Sequence, residues 1–183
     1  MNTLHGIDDL AAALRELGEV LQPVRVAATL RGVRIDERTL VPYLTWAPGR
    51  YTRNLVHRDA AFELIAICWE QDARSAIHDH ADSDCAFVLQ TGSITCENFR
   101  VAYPDGFENA PCDLRRTSTR TLREGEIDMR SGHLSVHRVG ACDGRALTLH
   151  VYAKPIDSCR QFDEDGTSRV AYSRYDTKPA AFD

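Results

Sequence analysis

Apolar residues in the N-terminal part of the chain recur with the spacing of an α-helix. They follow one another at intervals of three or four positions, at Leu10, Leu14, Leu17 and Leu21, so they lie along one helical face. Asp8 and Asp9 come just before this stripe, where carboxylates favour the first turn of a helix. The pattern predicts a helix that ends at Pro23, because proline cannot continue the hydrogen bonding of a helix interior.

A second, shorter helical stretch is predicted over residues 36–44, and after Gly49 the hydrophobic period falls to two. The alternation predicts short strands over residues 51–56, 62–69, 85–89, 94–101, 136–139 and 146–152. Gly92 and Ser93 separate two of them and predict a tight hairpin. Many short strands with glycine-containing turns indicate a sandwich or a small jelly-roll barrel.

The length of the chain favours a single domain of mainly β structure. Its 183 residues suit one domain better than two. We therefore expect residues 1–183 to form one unit, with a helical N-terminal cap over residues 1–45 and a β-barrel over residues 46–183. A hydrophobic content of 43% and a charged content of 27% are typical of globular proteins and exclude a disordered or collagen-like chain.

Charge and segment composition narrow the expected location and partners. No run of eighteen apolar residues predicts a transmembrane helix, and residues 1–10 lack the features of a secretory signal. The net charge of −5 argues against general binding to nucleic acid or to a membrane surface. We expect a cytoplasmic protein and a monomer whose partners are small molecules.

Six cysteines occur without any CxxC pair. They lie at positions 68, 85, 96, 112, 142 and 159, so a zinc knuckle or a thioredoxin-type motif is not predicted. In a cytoplasmic protein we expect six reduced thiols. Most buried cysteines act as small apolar side chains.

Two histidines separated by one residue suggest a metal site. At the period of a strand, His78 and His80 point to the same face, where both ring nitrogens can reach one ion. The alternative is a surface strand with two solvated histidines. Cys85 follows after four residues and Gly92 after six more, a spacing that resembles the first motif of the cupins, with cysteine where glutamate usually stands. His137 lies where the second cupin motif places a ligand. Three neutral imidazoles suit Fe, Zn, Ni or Cu.

The strand predicted over residues 146–152 has one apolar and one polar face. The polar face carries Thr148, His150 and Tyr152. This face has three possible environments: it is solvated, it holds a core histidine through Thr148, or it lines a ligand cavity inside a barrel. Arg53 is a candidate for binding a carboxylate through a bidentate pair, and by composition Arg50 and Arg58 are equal candidates.

Taken together, these segments resemble the cysteine dioxygenases, the thiol dioxygenases of the cupin superfamily. The resemblance covers roughly the last two-thirds of the chain, in order, while residues 1–45 match only in being helical. It is carried by the stretches Arg50-Tyr51-Thr52-Arg53-Asn54-Leu55-Val56, Ile67-Cys68-Trp69, Ser75-Ala76-Ile77-His78-Asp79-His80-Ala81-Asp82-Ser83 with Cys85, Val136-His137-Arg138-Val139, Thr148-Leu149-His150-Val151-Tyr152 and Ile156-Asp157-Ser158-Cys159.

The resemblance implies a cupin jelly-roll barrel and an iron-dependent enzyme of cysteine catabolism. His78, His80 and His137 would bind Fe(II) and leave three positions open. L-Cysteine would chelate the iron through its thiolate and amine, with a position for O2, and would be oxidised to cysteine sulfinic acid. The rate enhancement would come largely from bringing the reactants together and from the Lewis acidity of the iron.

The resemblance also implies roles for the residues around this metal. The substrate would be contacted by Arg53, Tyr51 and Trp69, with Arg53 on its carboxylate and Trp69 on the outer wall. Tyr152 would hydrogen-bond near the carboxylate and the oxygen, His150 would orient its hydroxyl group, and Thr148 would orient His150. In part of the family the cysteine at the position of Cys85 is joined to this tyrosine by a thioether, so we expect a Cys85–Tyr152 crosslink as a protein-derived cofactor.

The chain departs from the family pattern at two positions. Where the family often has Ser-Pro-Pro with a cis bond, this chain has Ala153-Lys154-Pro155. Because a non-proline cis bond costs about 2.5–4 kcal/mol, we expect the bond between Ala153 and Lys154 to be trans. Thr148 replaces the usual serine and keeps its hydroxyl group.

Two other functions are compatible with parts of this pattern. A sibling enzyme that oxidises another small thiol, such as 3-mercaptopropionate, usually carries glutamine at the position of Arg53. A cupin that binds metal without oxidising its ligand, or an isomerase, generally keeps the glutamate ligand that is replaced here by Cys85. Arg53 and Cys85 together favour the cysteine dioxygenase interpretation.

Overall fold

Three short helices precede nine antiparallel strands in the computed structural model, which describes residues 5–103 and 111–179. The helices are α1 (Ile7–Arg15), α2 (Pro23–Leu30) and α3 (Glu37–Leu40), with a 3-10 turn at Val41–Tyr43. The strands are β1 (Tyr51–Arg58), β2 (Phe62–Trp69), β3 (Ile77–His78), β4 (Asp84–Ala102), β5 (Asp113–Leu122), β6 (Ile127–Ser131), β7 (Val136–Ala153), β8 (Ser158–Phe162) and β9 (Ser168–Tyr172). The prediction of a mainly β jelly-roll barrel with an N-terminal helical segment is confirmed.

The helical region contains one helix more than its spacing predicts. Helix α1 ends at Arg15, well before Pro23, and Pro23 instead begins α2. The predicted end at Pro23 is therefore wrong, because proline lacks only an N–H group that the first turn of a helix leaves unbonded. The shorter stretch is confirmed as α3 with the following 3-10 turn, and the Asp36 carboxylate caps α3 by accepting a hydrogen bond from the Arg38 N–H at 3.0 Å.

Two long strands replace four of the predicted short ones. Strand β4 runs through Gly92 and Ser93 without a hairpin, and β7 joins the two predicted strands at its ends. The pairing of β4 with β7 shifts register on both sides of Thr91, and Gly92 has a φ of +84°. The glycine thus marks an irregularity within a continuous strand, so the predicted hairpin is wrong.

Alternate residues of the central strands serve two different cores. In β2 every residue is buried: Leu64 and Ala66 pack with the helices, whereas Ile65 and Ile67 pack inside the barrel. Three apolar side chains of β7 also face the helices, and these are Leu147, Leu149 and Val151. The helices therefore cover one face of the sheet, and the other face encloses the barrel interior.

The described chain shows two further features. The longest helix, α1, has nine residues, and no helix in the described ranges is long and apolar enough to span a bilayer. All six cysteines carry free thiols, and the buried ones are Cys68, Cys85, Cys96 and Cys112.

Candidate metal centre and active site

Three histidines meet inside the barrel. The two-residue strand β3 places His78 directly opposite His137 of β7, and His80 follows in the loop beyond β3. One ligand nitrogen from each ring lies within 4.8 Å of the others. The ring centroids are 4.7, 4.9 and 5.2 Å apart, so the structure brings the predicted cluster together.

The loop that carries His80 is held by one carboxylate. Asp79 accepts hydrogen bonds from the N–H of Ala81 at 3.1 Å and from the N–H of Arg160 at 2.8 Å. Ala81 has a φ of +48°, which turns the chain sharply after His80. Strand geometry therefore orients His78, whereas this hydrogen-bonded turn orients His80.

Backbone carbonyl groups determine the tautomers of two of the rings. Nδ1 of His78 lies 2.9 Å from the Ala76 oxygen, and Nδ1 of His80 lies 3.2 Å from the Ser135 oxygen. A carbonyl oxygen only accepts, so each Nδ1 carries the proton and each neutral ring keeps a lone pair on Nε2. This arrangement is the one that metal-binding histidines commonly use.

The third ring has a looser partner. Nδ1 of His137 is buried and makes no hydrogen bond within the described ranges, and the Asp128 carboxylate lies 3.9 Å away. Asp128 itself accepts a hydrogen bond of 2.7 Å from Nε of Arg130. An unbonded buried nitrogen costs free energy, and the nearby Asp128 carboxylate is the type of acceptor toward which metal-binding histidines direct their other ring nitrogen.

Burial keeps the three rings neutral. It lowers the pKa of His78, and it lowers the pKa values of His80 and His137 well below the usual value of histidine. The mutual repulsion that protonated rings would experience adds to the effect at His80 and His137. Neutral imidazoles are the form that binds divalent transition metals, so the donor set fits an iron ion with open coordination positions.

Two connected cavities lead to these rings. The inner cavity has a volume of about 30 Å³, and the outer cavity has a volume of about 440 Å³. Every residue predicted to bind metal or substrate lines the inner one, together with two of the predicted catalytic residues: Tyr51, Arg53, Trp69, His78, His80, His137, His150 and Tyr152. The outer cavity shares Tyr51, Arg53, His78 and Tyr152 and opens to solvent.

The polar face of β7 points into the barrel. Nε1 of Trp69 donates to the Thr148 hydroxyl at 2.9 Å, and that hydroxyl lies 2.9 Å from Nε2 of His150. The ring of Phe87 stacks on His150 with centroids 4.5 Å apart. Of the environments considered for this strand, the solvated one is wrong and the other two occur together: Thr148 holds a buried His150, and His150 and Tyr152 line the inner cavity.

The resemblance implies that His150 orients the Tyr152 hydroxyl group, whereas the structure places a nitrogen of His150 next to the sulfur of Cys85. Its Nδ1 lies 3.9 Å from the Cys85 sulfur, whereas its ring centroid is 6.3 Å from that of Tyr152. Cys85 and Tyr152 are direct cross-strand partners on β4 and β7, both pointing inward. Burial raises the pKa values of the Cys85 thiol and the Tyr152 phenol above their usual ranges, so both groups are protonated at neutral pH.

Arg53 is the candidate arginine that reaches both cavities and the metal-binding rings. Its guanidinium carbon lies 5.7 Å from the centroid of the Tyr152 ring, and Nη2 donates to the Ser173 hydroxyl at 2.9 Å. Nε is buried and makes no hydrogen bond with any described residue. Arg50 instead pairs with Asp176, and Arg58 pairs with Asp157 and Glu63.

Sequence reasoning missed a carboxylate next to this arginine. Glu63 is fully buried on β2, and Oε1 lies 3.6 Å from Nη2 of Arg53. Burial raises the pKa of Glu63, while Tyr175, Arg53 and Arg58 oppose that rise. One signal could have identified it: a lone charged residue at an inward position of an otherwise apolar strand.

The segment Ala153-Lys154-Pro155, which stands where the family often has Ser-Pro-Pro, begins with an ordinary trans peptide bond. No cis peptide bond occurs among the described residues, so the Ala153–Lys154 bond is trans, as predicted. Lys154 has a φ of +87°, its ammonium group pairs with Asp82, and its carbonyl oxygen accepts a hydrogen bond of 2.6 Å from the Ser83 hydroxyl.

A jelly-roll barrel with three inward histidines defines the chain as a metal-site cupin. The family model described as "Cysteine dioxygenase type I" matches residues 9–165. The chain therefore belongs to the cysteine dioxygenase type I family, which makes it a dioxygenase-type cupin.

Named relatives support this assignment. The chain is 33% identical to cysteine dioxygenase type 1 of Rattus norvegicus over 161 residues, which is 85% of this chain and 78% of the relative. It is 34% identical to the Danio rerio protein of the same name over 163 residues, which is 86% of this chain and 79% of the relative. It is 31% identical to the Homo sapiens protein over 161 residues, again 85% and 78%.

Solved cupin structures are more distant. An RmlC-like cupin from Desulfovibrio desulfuricans has a TM-score of 0.45 and 18% identity, covering 62% of this chain and 91% of the other. A protein with a double-stranded β-helix domain from Klebsiella pneumoniae has a TM-score of 0.47 and 12% identity, covering 74% and 94%.

Proposed function

We propose that the protein oxidises L-cysteine with O2 to cysteine sulfinic acid at a mononuclear Fe(II) site. The observation that carries the proposal is the position of Arg53, whose buried Nε lacks a protein partner in the described ranges and which lines the same small cavity as the three histidines. A cation and a metal site in one cavity suit a thiol that also carries a carboxylate. Family membership supports the type of reaction.

His78, His80 and His137 would hold the iron through the nitrogens that face one another. Bound there, Fe(II) would act as a Lewis acid that lowers the pKa of the substrate thiol and brings sulfur and O2 together. The carbonyl groups of Ala76 and Ser135 keep two of the rings in the metal-binding tautomer. This orientation is in place before substrate arrives.

Arg53 would orient the substrate by its carboxylate. A guanidinium group offers a planar pair of donors that matches a carboxylate, and its own position is fixed by the hydrogen bond to Ser173. Tyr51 lies beside Trp69, with ring centroids 4.9 Å apart, and we assign both to the wall of the substrate site. The contacts with the wall exclude water around the reacting sulfur.

The single O–H group of Tyr152 would hydrogen-bond near the substrate carboxylate and the oxygen that is transferred. Because burial raises its pKa, the phenol remains a donor at neutral pH. Hydrogen bonds from Trp69 to Thr148 and between Thr148 and His150 fix the His150 ring, and the ring of Tyr152 lies alongside it with centroids 6.3 Å apart. We assign to Thr148 and His150 the role of orienting the polar face that carries Tyr152.

We further propose a thioether bond between Cys85 and Tyr152. Cross-strand partners have Cβ atoms about 4.5–5.5 Å apart, which is compatible with a sulfur-to-ring bond. Its formation would break the S–H bond of Cys85 and one ring C–H bond of Tyr152, and O2 would accept the two electrons and two protons released and become hydrogen peroxide. The link would immobilise Tyr152 beside the substrate.

The six free thiols suit a reducing compartment, and we infer that the protein acts in the cytoplasm. The monomeric state stays a prediction.

A comparison of two thiols tests the substrate assignment. We expect kcat/KM for O2 uptake by the Fe(II)-loaded protein to be higher with L-cysteine than with 3-mercaptopropionate. Arg53→Gln should lower kcat/KM for L-cysteine about 30-fold or more, because a charged pair of this kind contributes at least about 2 kcal/mol. Arg50→Gln is the control and should cause a much smaller loss.

Two outcomes would contradict the assignment. A higher kcat/KM with 3-mercaptopropionate would make the protein the sibling enzyme. Iron-loaded protein that consumes no O2 with any small thiol would make it a cupin that binds metal without oxidation.

A further inference from the structure

The most unusual charge in the barrel is the carboxylate of Glu63. It lies on β2 at an inward position, opposite Tyr152 of β7, and none of its surface is exposed. A buried carboxylate is costly unless cations and donors surround it. Its presence on a strand of apolar residues therefore calls for a specific role.

Glu63 uses its two oxygens differently. Oε2 accepts hydrogen bonds from Nη1 of Arg58 at 2.7 Å and from the Tyr175 hydroxyl at 2.6 Å. Oε1 lies 3.6 Å from Nη2 of Arg53 and accepts no hydrogen bond from the described residues. The Glu63 carboxylate thus faces both Arg53 and Arg58, and hydrogen bonds from Arg58 and Tyr175 fix its position.

Glu63 stands behind Arg53 as seen from the substrate site. Arg53 lines both cavities, whereas Glu63 lines neither. The carboxylate therefore attracts the guanidinium group from the side remote from the ligand. It does not occupy the donors that face the inner cavity.

The C-terminal strap, residues 173–177, contacts both Arg53 and Glu63. The strap runs along β1, where the Asp176 N–H donates to the Arg53 carbonyl at 2.7 Å and the Leu55 N–H donates to the Thr177 carbonyl at 2.9 Å. It brings Ser173 to Nη2 of Arg53 and Tyr175 to Glu63. The strap lies outside residues 9–165, the part of the chain that the family model matches.

We propose that Glu63 is a positioning residue that, together with the C-terminal strap, aims Arg53 at the substrate and so selects thiols that carry a carboxylate. The inference rests on the proposed function, in which Arg53 binds that carboxylate. Glu63 acts through Arg53 and does not touch the substrate.

The charge balance explains why the carboxylate is needed. Arg53 and Arg58 lie on the same side of the barrel, and the other anion near Arg58, Asp157, has a side chain that is 83% exposed. Without the negative charge of Glu63, the two guanidinium groups repel each other across a buried region where screening is weak. Arg53 would then turn away toward the outer cavity.

A competing interpretation predicts the opposite sign. If Glu63 merely competed with the substrate carboxylate for Arg53, removal of its charge would strengthen the binding of L-cysteine. If it aims Arg53, removal weakens that binding. The direction of the change therefore separates the two interpretations.

The test is Glu63→Gln, which keeps the shape and the hydrogen bond to Tyr175. Dissociation constants for L-cysteine and for cysteamine, which lacks a carboxylate, are measured by calorimetry with Fe(II)-loaded protein in the absence of O2. We expect the constant for L-cysteine to rise about tenfold, equivalent to about 1.4 kcal/mol, while that for cysteamine stays unchanged.

Glu97→Gln is the matched control. Glu97 also lies between two arginines, accepting hydrogen bonds from Arg116 and, at 2.6 Å, from Arg138, but it lines neither cavity. Its substitution should leave both dissociation constants unchanged. If Glu63→Gln does not fold, Tyr175→Phe removes one of the two hydrogen bonds that fix the same carboxylate, loosens the positioning of Arg53 and should weaken L-cysteine binding in the same direction.

A double-mutant cycle with Arg53→Gln completes the test. If Glu63 acts through Arg53, Glu63→Gln adds nothing in the Arg53→Gln background. Unchanged or tighter L-cysteine binding by Glu63→Gln would overturn the inference while Arg53→Gln still weakens binding. If Arg53→Gln itself leaves L-cysteine binding unchanged, the role of Arg53 in the proposed function fails, and the inference fails with it.

Discussion

At the scale of single residues, the metal centre depends on groups that are not ligands. The carbonyl groups of Ala76 and Ser135 set the tautomers of His78 and His80, and Asp128 lies closest to the free Nδ1 of His137. The spacing of the histidines indicates which rings can meet. It contains no information about the tautomers, because the partners are main-chain carbonyl groups, which every residue carries, and one of them lies 55 positions from its histidine.

Loss of one ring should remove the metal. His80→Ala leaves two ligands, and we expect iron affinity to fall more than about 100-fold, the upper end of what the loss of an outer partner costs. Metal content after dialysis, measured by emission spectroscopy, checks this. His133→Ala is the control because His133 is exposed and outside the cluster. A His80→Ala protein that kept iron and full activity would overturn the assigned ligand set.

The thioether bond between Cys85 and Tyr152 is a second prediction about individual residues. Protein exposed to iron, O2 and L-cysteine should have an intact mass lower than the sequence mass by the thiol and ring hydrogens that the bond removes, and it should run as a doublet on a denaturing gel. Cys85→Ser and Tyr152→Phe should abolish the difference. Cys96→Ser, which changes another buried thiol of the same core, should keep it. Complete alkylation of Cys85 in the denatured, iron-treated protein would contradict the bond.

Arg53 and Glu63 illustrate how far residues can be assigned from sequence. The motif around Arg53 identified it as the carboxylate-binding candidate, and the structure places it in the cavity. The lone charge of Glu63 in an apolar strand is visible in the sequence, but the contact of Glu63 with Tyr175 and that of Arg53 with Ser173 are not, because both partners return to β1 from the far end of the chain. Contacts of that sequence separation have no local pattern.

At the scale of elements, alternation predicted where strands lie better than where they end. Strand β2 has its predicted bounds, because its residues are apolar on both faces and are bounded by polar turns. The predicted C-terminal end of α1 and the predicted hairpin in the middle of β4 were wrong for a common reason. Pro23 and Gly92 are each compatible with a break or with continuation, and the choice is made by the neighbouring elements that each segment packs against.

The bend of β4 requires glycine at position 92. A Cβ there would lie 2.9 Å from the Cα of Ala146 and closer still to the Arg145 carbonyl oxygen, in addition to the strain of a φ of +84°. We expect Gly92→Ala to destabilise the fold by about 3 kcal/mol, lowering the melting temperature by about 6–12 °C. Differential scanning calorimetry measures the change.

Gly125→Ala is the control for this substitution. Gly125 has a similar φ of +79°, and no described atom lies within 4 Å of an added Cβ. Gly125→Ala should lower the free energy of unfolding by about 1 kcal/mol, because it adds only backbone strain. Equal melting temperatures for the two variants would show that the short distance between position 92 and β7 does not add to the loss of stability.

At the scale of the whole molecule, the helical cap and the barrel share one core. Leu14 and Leu30 of the helices belong to the same buried cluster as Phe62, Leu64 and Val88 of the strands. This cluster leaves no layer of polar residues between the two parts. We therefore propose that residues 1–183 form a single domain, as the length of the chain predicts.

A single domain should unfold in one step. Trp46 packs against the core shared with the helices, and Trp69 lies inside the barrel, so each reports on one part. In Trp69→Phe and Trp46→Phe variants, thermal fluorescence transitions should have the same midpoint. Leu14→Ala, which removes a fully buried side chain at a cost of about 2–5 kcal/mol, should lower both midpoints together. A Trp46 transition that shifts alone would show that the cap is a separate unit.

The central claim is that a three-histidine iron site in this barrel transfers both atoms of O2 to the sulfur of L-cysteine. The most direct measurement is the product formed by the Fe(II)-loaded protein from L-cysteine under ¹⁸O2, together with the O2 consumed. We expect cysteine sulfinic acid in which both sulfinate oxygen atoms are labelled, with one molecule formed for each O2 consumed. Cystine as the product, or sulfinic acid with an oxygen atom from water, would contradict it.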